Sequence, residues 1–399
     1  MSAITGEGIS DLIALLQRQV RIPVRDASGP FLFSVDHCFP IKGKGTVLTG
    51  TVLSGSVSLN QVVEFPELHL TRKVKSMQMF HQPLSKASTG DRVGILVTQF
   101  DADQVERGIL ADPGTVPTFD RAIVCADKIK FYKGDIQRRI KYHISIGHVT
   151  AMANAEFFTS VLGSTADGPS DNEASGDGFD WNRDYLYEDQ LMPVSPAMPP
   201  KHQWALLTFD SPITTPVDSV VIGARLDFDV QSPNCRLAFS GRIVHSFLSA
   251  GTDASNGGLC QLRVFKWKQR QGSIDRVQDA CSVIGKGLFK KETDISLFVG
   301  LKVDVCLGGS HDSTDKGDHG DGDASLVTAE TVHAGVIEGS FGKSGKFKVR
   351  VATGGLPVAT SASSKKKTAT DADDDAGKPR GKIVLRFKRY VFGPNAMAQ

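Results

Sequence analysis

Residues 45–53 read GTVLTGTVL, a short run of valine, leucine and threonine that is interrupted by Gly50. β-Branched and aliphatic side chains in such a run favour a strand. Similar runs, separated by Gly, Asn, Asp or Pro, recur at residues 31–39, 93–100, 122–126, 141–146, 237–239, 297–305, 346–351 and 382–392. Many short strands with turn signals between them predict β-barrels or sandwiches.

One helix precedes these strands. Apolar residues follow the spacing of three and four that is typical of an amphipathic helix, at Ile9, Leu12, Ile13, Leu16 and Val20. Ser10 is placed to cap this helix, Asp11 lies in its first turn, where the helix dipole favours an acid, and Pro23 marks its end. The predicted fold class is therefore mainly β, with one N-terminal helix.

Three stretches interrupt the β pattern. Residues 163–200 are acidic and rich in Gly, Pro and Ser, residues 308–331 are rich in Asp, Gly and His, and residues 354–381 carry a lysine run followed by an aspartate run. Such compositions are typical of solvated insertions in loops. Without them the chain divides into three β-rich blocks, at 27–104, 105–241 and 242–399.

The charge is balanced over the whole chain but not within it. The 399 residues include 46 basic and 44 acidic side chains. Up to Gly241 there are 22 basic and 27 acidic residues, a net charge of −5, and after it 24 and 17, a net charge of +7. The C-terminal part is therefore the place to look for contacts with a polyanion.

Cysteine usage and the N-terminus favour a cytoplasmic protein. The six cysteines lie far apart without a C-x-x-C pair, which favours a reduced compartment over disulfides or zinc. No basic residue precedes the first acid, and no uninterrupted run of about 18 apolar residues occurs. We expect a monomer that does not bind membranes.

Two motifs suggest chemistry that their surroundings do not support. Residues 339–344 read GSFGKS, but a phosphate-binding loop needs a glycine at the position of Ile337 and a helix after the serine, whereas residues 346–351 alternate like a strand. The His- and Asp-rich residues 311–323 lack the closing glutamate of an EF-hand. We predict a turn and a solvated loop, with no catalytic residue and no metal site.

Two late strands present basic faces. Lys346, Lys348 and Arg350 alternate with apolar residues, as do Arg386 and Lys388 near an aromatic residue, Tyr390. A charged outer face is ordinary for a strand. Its coincidence with the positive C-terminal block also fits RNA binding, so these five basic residues are candidate RNA contacts.

Nine short strings together resemble the eukaryotic selenocysteine-specific elongation factors. They are SVDHCF (34–39), IKGKGTV (41–47), KSMQMFH (75–81), RGIL (107–110), RLAF (236–239), SVIG (282–285), LFKKET (288–293), SGKFK (344–348) and FKRYVF (387–392). The early strings also occur, in weaker form, in proteins similar to elongation factor Tu. Those after residue 281 are specific to this branch.

The resemblance implies a translation GTPase that delivers selenocysteinyl-tRNA to the ribosome at UGA codons. Its implied partners are the tRNA, the ribosome, a SECIS-binding protein and the SECIS RNA element, and its implied cofactors are GTP and magnesium. It also implies three consecutive β-barrel-like domains: elongation factor domain 2 at 27–104, domain 3 at 105–241 with insertion 163–200, and a C-terminal β-domain at 242–399 with insertions 308–331 and 354–381. Residues 1–22 then resemble the end of a GTPase domain, with Ser2 and Ala3 in its last guanine motif.

The sequence departs from this family in its nucleotide-binding motifs. It contains no G-x-x-x-x-G-K-[ST], no D-x-x-G and no N-K-x-D. We therefore expect no GTP hydrolysis by this chain alone, and an N-terminally incomplete sequence rather than a natural short form. Two alternatives stay open: a GTPase-free module that binds RNA or the ribosome, and a relative that carries another aminoacyl-tRNA.

The resemblance places a selenocysteine pocket at Asp36, His37 and Arg92. A selenol is largely anionic at neutral pH, so a cationic Arg92 and a protonatable His37 would favour it over neutral serine. Asp36 would hold His37 in its charged form or pair with the aminoacyl ammonium. Because neighbouring residues of a flat strand face opposite sides, Asp36 and His37 share a pocket only if the strand bends there or ends near Pro40.

Overall fold

The computed structural model describes residues 1–21, 23–160, 178–193, 203–227, 234–248, 258–290, 292–307, 331–342, 345–351, 381–392 and 397–399. The chain divides into two compact units. The first comprises Met1–Phe157, Asn172–Phe179 and Glu188–Thr252, and the second comprises Phe158–Asp171, Asp180–Tyr187 and Asp253–Gln399.

The predicted N-terminal helix is present as α1, Ile9–Gln19, with Asp11 in its first turn. Its cap differs from the prediction, because Gly8 in a left-handed conformation precedes the helix and no side chain caps it. The Ser10 cap is therefore wrong, and Ser10 lies within the first turn. No residue of α1 is buried, so its apolar stripe faces outward.

The first barrel begins with the strand pair that the opening sequence predicts. Its nine strands are β1 Leu32–Ile41, β2 Gly45–Ser54, β3 Ser56–Ser58, β4 Val62–Phe65, β5 Leu70–Met79, β6 Gln82–Leu84, β7 Lys86–Ser88, β8 Arg92–Val97 and β9 Gly108–Ala111. Six of them close into a ring in the order β4-β9-β1-β2-β8-β5, since β5 also pairs with β4.

Alternating apolar residues of these strands fill the barrel. Phe33 and Val35 of β1 are fully buried, and the rings of Phe65 and Phe100 stack at 4.1 Å between centroids. Because β9 pairs with β1 and β4, the first barrel extends to Ala111. The predicted boundary between residues 104 and 105 is therefore too early by one strand.

The second barrel lies in the same unit. The strands that follow in the chain are β10 Thr118–Lys128, β11 Lys141–Ile146, β12 Val149–Ser160, β13 Tyr185–Glu188, β14 Gln203–Thr214, β15 Val220–Ala224 and β16 Leu237–Phe247. Six of them, without β13, close in the order β11-β15-β16-β10-β14-β12, because β12 pairs back with β11. Since β16 continues past residue 241, the predicted boundary at 241/242 falls inside a strand.

A third ring of strands forms the second unit. The remaining strands of the chain are β17 Val264–Asp279, β18 Ser282–Lys286, β19 Lys302–Leu307, β20 Thr331–Phe341, β21 Lys346–Val351, β22 Gly381–Tyr390 and β23 Met397–Ala398. The ring order is β17-β18-β21-β20-β19-β22, and it closes because β17 also pairs with β22. The strand predicted from residue 297 begins only at Lys302, because Ile295–Phe298 forms a turn of 3-10 helix.

The described part of the insertion predicted at 163–200 contains a strand. Within its described part, residues 178–193, β13 pairs in parallel with β17, and Tyr185 and Tyr187 are buried. The expectation of a solvated loop is therefore wrong for these residues. The insertions at 308–331 and 354–381, and the His- and Asp-rich run at 311–323, lie outside the described residues, except for Thr331 and Gly381 at strand ends.

The predicted fold class is confirmed, since the described chain is mainly strand with one α-helix. The GKS string lies between β20, which ends at Phe341, and β21, which begins at Lys346, so a strand and not a helix follows it. Lys343 and Ser344 themselves lie outside the described residues.

Candidate functional site

The candidate site is built on an irregularity in β1. Val35 pairs with Gly50 of β2 and His37 with Thr49, so Asp36 is the extra residue of a β-bulge. A bulge bends the strand and redirects the side chains beside it. The strand therefore bends at Asp36, which is one of the two conditions for a pocket shared with His37. It does not end at Asp36 or His37 but continues to Ile41, one residue past Pro40.

Gly50 allows β1 to approach β2 closely at this bulge. A Cβ atom on Gly50 would lie 1.8 Å from the Ser34 carbonyl oxygen and 3.0 Å from the Phe33 ring. Any larger residue would have to push the two strands apart. The glycine of the opening stretch thus permits the backbone geometry on which the candidate site rests.

Arg92 joins the site from the first position of β8. One guanidinium nitrogen, Nη1, lies 2.6 Å from Oδ2 of Asp36, and both side chains are partly exposed. Among the described residues no other acid pairs with Arg92, so its remaining N–H groups are available to a ligand. The structure therefore brings Asp36 and Arg92 into direct contact.

Asp36, His37 and Arg92 all line one cleft of about 1080 Å³. The second barrel contributes His148 and Arg242 to the same cleft. Three arginines, Arg92, Arg107 and Arg242, thus line the cleft against two acids, Asp36 and Asp218, and this positive excess favours anions.

Two further contacts at this cleft escaped prediction. Nε2 of His148 lies 2.6 Å from Oε1 of Glu67, and Nη1 of Arg242 lies 3.3 Å from Oδ2 of Asp218. Glu67 and His148 are 81 residues apart and belong to different barrels. No local pattern in the sequence signals such a pair.

The candidate RNA contacts lie on outer faces of the second unit, but most are paired with acids. Lys346 Nζ lies 2.7 Å from Asp275, and Lys348 and Arg350 share Glu338 at 2.9 and 3.6 Å. The contact with Lys346 holds the pKa of Asp275 below its ordinary value.

Arg386 and Lys388 of β22 differ from each other in their pairing. Lys388 Nζ lies 2.7 Å from Asp184, whereas Arg386 is exposed and has no acid partner in the described part of the chain. The basic faces are therefore present as predicted, although their net charge is smaller than the sequence suggests.

The described residues, including Ser2 and Ala3, do not form a site for GTP or magnesium. Ser2 lies in a turn, where its N–H donates to the Glu7 carbonyl at 3.0 Å and its Oγ accepts from the Thr5 N–H at 3.3 Å. Ser2 and Ala3 alone supply no contact for phosphates. In the part of the chain that the structure describes, no cluster of three or more His, Cys, Asp or Glu residues could hold a metal ion.

Two further observations concern the cysteines and the helix content of the chain. All six cysteines are free thiols. The described residues include no helix that is both long enough and apolar enough to span a membrane.

Three family profiles match the chain. Residues 45–110 match elongation factor Tu domain 2, and residues 123–241 match the third domain of the eukaryotic selenocysteine-specific elongation factor. Residues 260–318 and 324–396 match the eEFSec C-terminal RIFT domain. The three matches follow one another in the order of the three rings of strands.

Curated relatives carry the same description. The selenocysteine-specific elongation factor of Mus musculus is 40% identical over 423 residues, which cover 97% of this chain and 67% of that protein. The selenocysteine-specific elongation factor of Methanocaldococcus jannaschii is 34% identical over 157 residues, 38% of this chain and 34% of that protein.

Solved structures share the fold. Translation elongation factor SelB from Methanococcus maripaludis in its apo form has a TM-score of 0.62 at 20% identity, covering 98% of this chain and 67% of that one. The same factor in complex with the GTP analogue GppNHp has a TM-score of 0.57 at 20% identity, covering 98% of this chain and 69% of that one.

Proposed function

The chain belongs to the selenocysteine-specific elongation factor family, and from this premise we propose that it contains the part of such a factor that binds selenocysteinyl-tRNA. Its role is to help deliver this tRNA to the ribosome at UGA codons. GTP and magnesium would bind to the part of the longer relatives that this chain does not match, since the nucleotide-binding motifs are missing here. The cytoplasm, where translation factors act, is the proposed location.

We propose that Asp36, His37 and Arg92 hold the selenocysteine side chain and its aminoacyl group. The contact between Asp36 and Arg92 supports this role, because it orients the guanidinium at the cleft while leaving N–H groups for a second acceptor. A selenolate offers the negative charge that these groups favour, and a seryl hydroxyl does not. His37 on the same bent strand adds a second donor when protonated.

The test compares selenocysteinyl-tRNA with seryl-tRNA on the same tRNA body. Filter binding would be measured with this chain alone and with this chain joined to the portion of the mouse relative that it does not match. We expect tighter binding of selenocysteinyl-tRNA, and loss of that preference in Arg92→Ala. Arg242→Gln is the control, because Arg242 lines the same cleft from the second barrel.

Arg92→Ala and Arg242→Gln each remove one positive charge from the cleft, so a difference between them shows which position recognises selenocysteine. Equal discrimination by Arg92→Ala and the parent chain would refute the pocket assignment. Loss of discrimination in the control alone would move the site to the second barrel.

A second proposal concerns the C-terminal ring. We propose that Lys346, Lys348, Arg350, Arg386 and Lys388 contribute to binding of RNA, with the ribosome, the SECIS element and its binding protein as candidate partners. Arg386 favours this proposal, because it is exposed and pairs with no acid among the described residues. An affinity for RNA that does not fall with rising salt would refute it, since every phosphate contact releases counterions.

A further inference from the structure

The outer face of β17 and β22 carries an exposed tryptophan among cations and amides. Trp267 lies directly opposite Lys388 in the strand pairing, and Gln269 lies opposite Arg386. More than half of the Trp267 surface, 56%, is exposed. Residues directly opposite each other in an antiparallel pair share a face, so these four side chains form one surface, which we call the Trp267 face.

Trp267 is held in place by neighbouring side chains of the same face. Its ring meets Phe265 edge to face, with centroids 5.4 Å apart and planes at 87°. Lys388 Nζ lies 5.9 Å from the Trp267 ring and 4.7 Å from the Phe265 ring, within the range of cation–π attraction. The indole is therefore oriented before any ligand arrives, and a rigid aromatic loses little entropy on binding.

Lys388 is itself fixed by a partly buried acid, Asp184. Asp184 accepts hydrogen bonds from Lys388 Nζ at 2.7 Å and from the Tyr390 hydroxyl at 3.0 Å, and Arg263 Nε lies 2.9 Å from it. Burial alone would raise the pKa of Asp184, but these donors and charges outweigh it and lower the pKa. The carboxylate thus stays ionised and anchors Lys388 beside the tryptophan.

The charges of this face fit a nucleic acid. Lys302 and Arg386 are exposed cations on neighbouring strands, whereas Asp304 is the exposed acid near them. Cations, amide side chains and an oriented aromatic ring suit an unpaired nucleotide, because the cations pair with its phosphate and its base stacks on the ring. Gln269, Lys388 and Arg386, the residues paired with or next to Trp267 on this face, are all polar, which favours a polyanion over an apolar protein partner.

We infer that the Trp267 face is a stacking platform for unpaired RNA, on which one base stacks on Trp267 while Arg386 contacts the backbone phosphate. This inference rests on the proposed RNA contact of the C-terminal ring and adds a residue, Trp267, that the sequence did not single out. It is independent of the selenocysteine pocket, which lies in the other unit.

The test uses the full chain and a labelled single-stranded RNA of about 12 nucleotides, a length within the usual site size. We expect Trp267→Leu to weaken binding at least about fivefold, the low end of what one stacked base contributes, whereas Trp267→Phe retains most of the affinity. Arg386→Gln should lower the slope of log Kd against log salt by about 0.7, the value for one phosphate of a single strand. Lys290→Gln, an exposed lysine outside β17 and β22, is the control.

Fluorescence gives a second, independent readout. The chain has three tryptophans, of which Trp204 is buried and Trp267 is the most exposed. RNA should quench the emission of the parent chain, and the quenching should vanish in Trp267→Phe. Unchanged RNA affinity in Trp267→Leu, or quenching that persists in Trp267→Phe, would overturn the platform and leave this face to a protein partner. Neither result depends on Arg92, so the pocket proposal stands or falls separately.

Discussion

Replacing Asp184 by alanine should destabilise the second unit, because this carboxylate is shared by three donor side chains. The Asp184 carboxylate is 204 residues from Lys388 in sequence, yet it accepts hydrogen bonds from Lys388, Tyr390 and Arg263. Its side chain is 21% exposed and that of Lys388 is 23% exposed. Removal of the acid would leave a mostly buried ammonium without its partner.

The magnitude follows from the burial and the partners. Breaking a fully buried ion pair costs roughly 3–5 kcal/mol, and a hydrogen bond to a charged group contributes roughly 1.5–3 kcal/mol. Because one fifth of each side chain meets water, we expect about 3 kcal/mol for Asp184→Ala. A domain of this size loses roughly 2–4 °C of Tm per kcal/mol, so Tm should fall by about 6–12 °C.

Urea unfolding followed by tryptophan fluorescence measures this change, and a double-mutant cycle with Lys388→Met isolates the pair. We expect a coupling energy of at least about 1.5 kcal/mol. Additive losses in the double variant would refute the reasoning, because they would mean that the two side chains do not support each other.

The sign of the pH dependence follows from the lowered pKa of Asp184. A carboxylate whose pKa is lower in the folded state stabilises the fold above its unfolded pKa, and this contribution is lost as the pH falls through the folded pKa. The advantage of the parent chain over Asp184→Asn should therefore be constant near neutrality and shrink below about pH 4. An advantage that grew on acidification would contradict the assignment.

Two further predictions concern the first barrel. Gly50→Ala should cost about 3 kcal/mol, since the new Cβ would lie 1.8 Å from the Ser34 oxygen, whereas Gly339→Ala, which meets nothing within 4 Å, is the matched control in a thermal melt. An equal loss in both would contradict the role of close approach. Burial and the charges of Asp101 and Asp103 raise the pKa of Cys38 to about 11, so iodoacetamide at pH 8 should label it more slowly than exposed Cys260 by mass spectrometry. Equal labelling rates would show that the Cys38 thiol is accessible and readily ionised.

Much of the fold could be predicted from local pattern. The strand predicted at residues 141–146 and that at 346–351 have the bounds seen in the structure. Alternation also identified the buried side of the latter, with Phe347 and Val349 inside and Arg350 outside. These features depend on neighbouring residues, which is why their period in the sequence reveals them.

The boundaries were less predictable because they depend on distant pairing. β9 follows the boundary that was predicted at residues 104/105, yet it belongs to the first barrel because it pairs with β1. β13 lies in an acidic, Gly-rich stretch whose composition is typical of a loop, but β17 gives it a hydrogen-bonding partner. Composition reflects the local preference of a segment, whereas a strand also requires a hydrogen-bonded neighbouring strand.

The sequence by itself determined the mainly β class, the N-terminal helix and the basic faces, whereas its resemblance to a known family supplied the three residues proposed for the pocket. Only the tertiary structure decided that β1 bends at Asp36, that Arg92 reaches its carboxylate, and that Lys388 is held by Asp184. The physical reason is that the alternation of side chains between the two faces of a strand is set by the local backbone. A bulge, an ion pair between strands and the anchoring of a distant acid arise only when the rings of strands close.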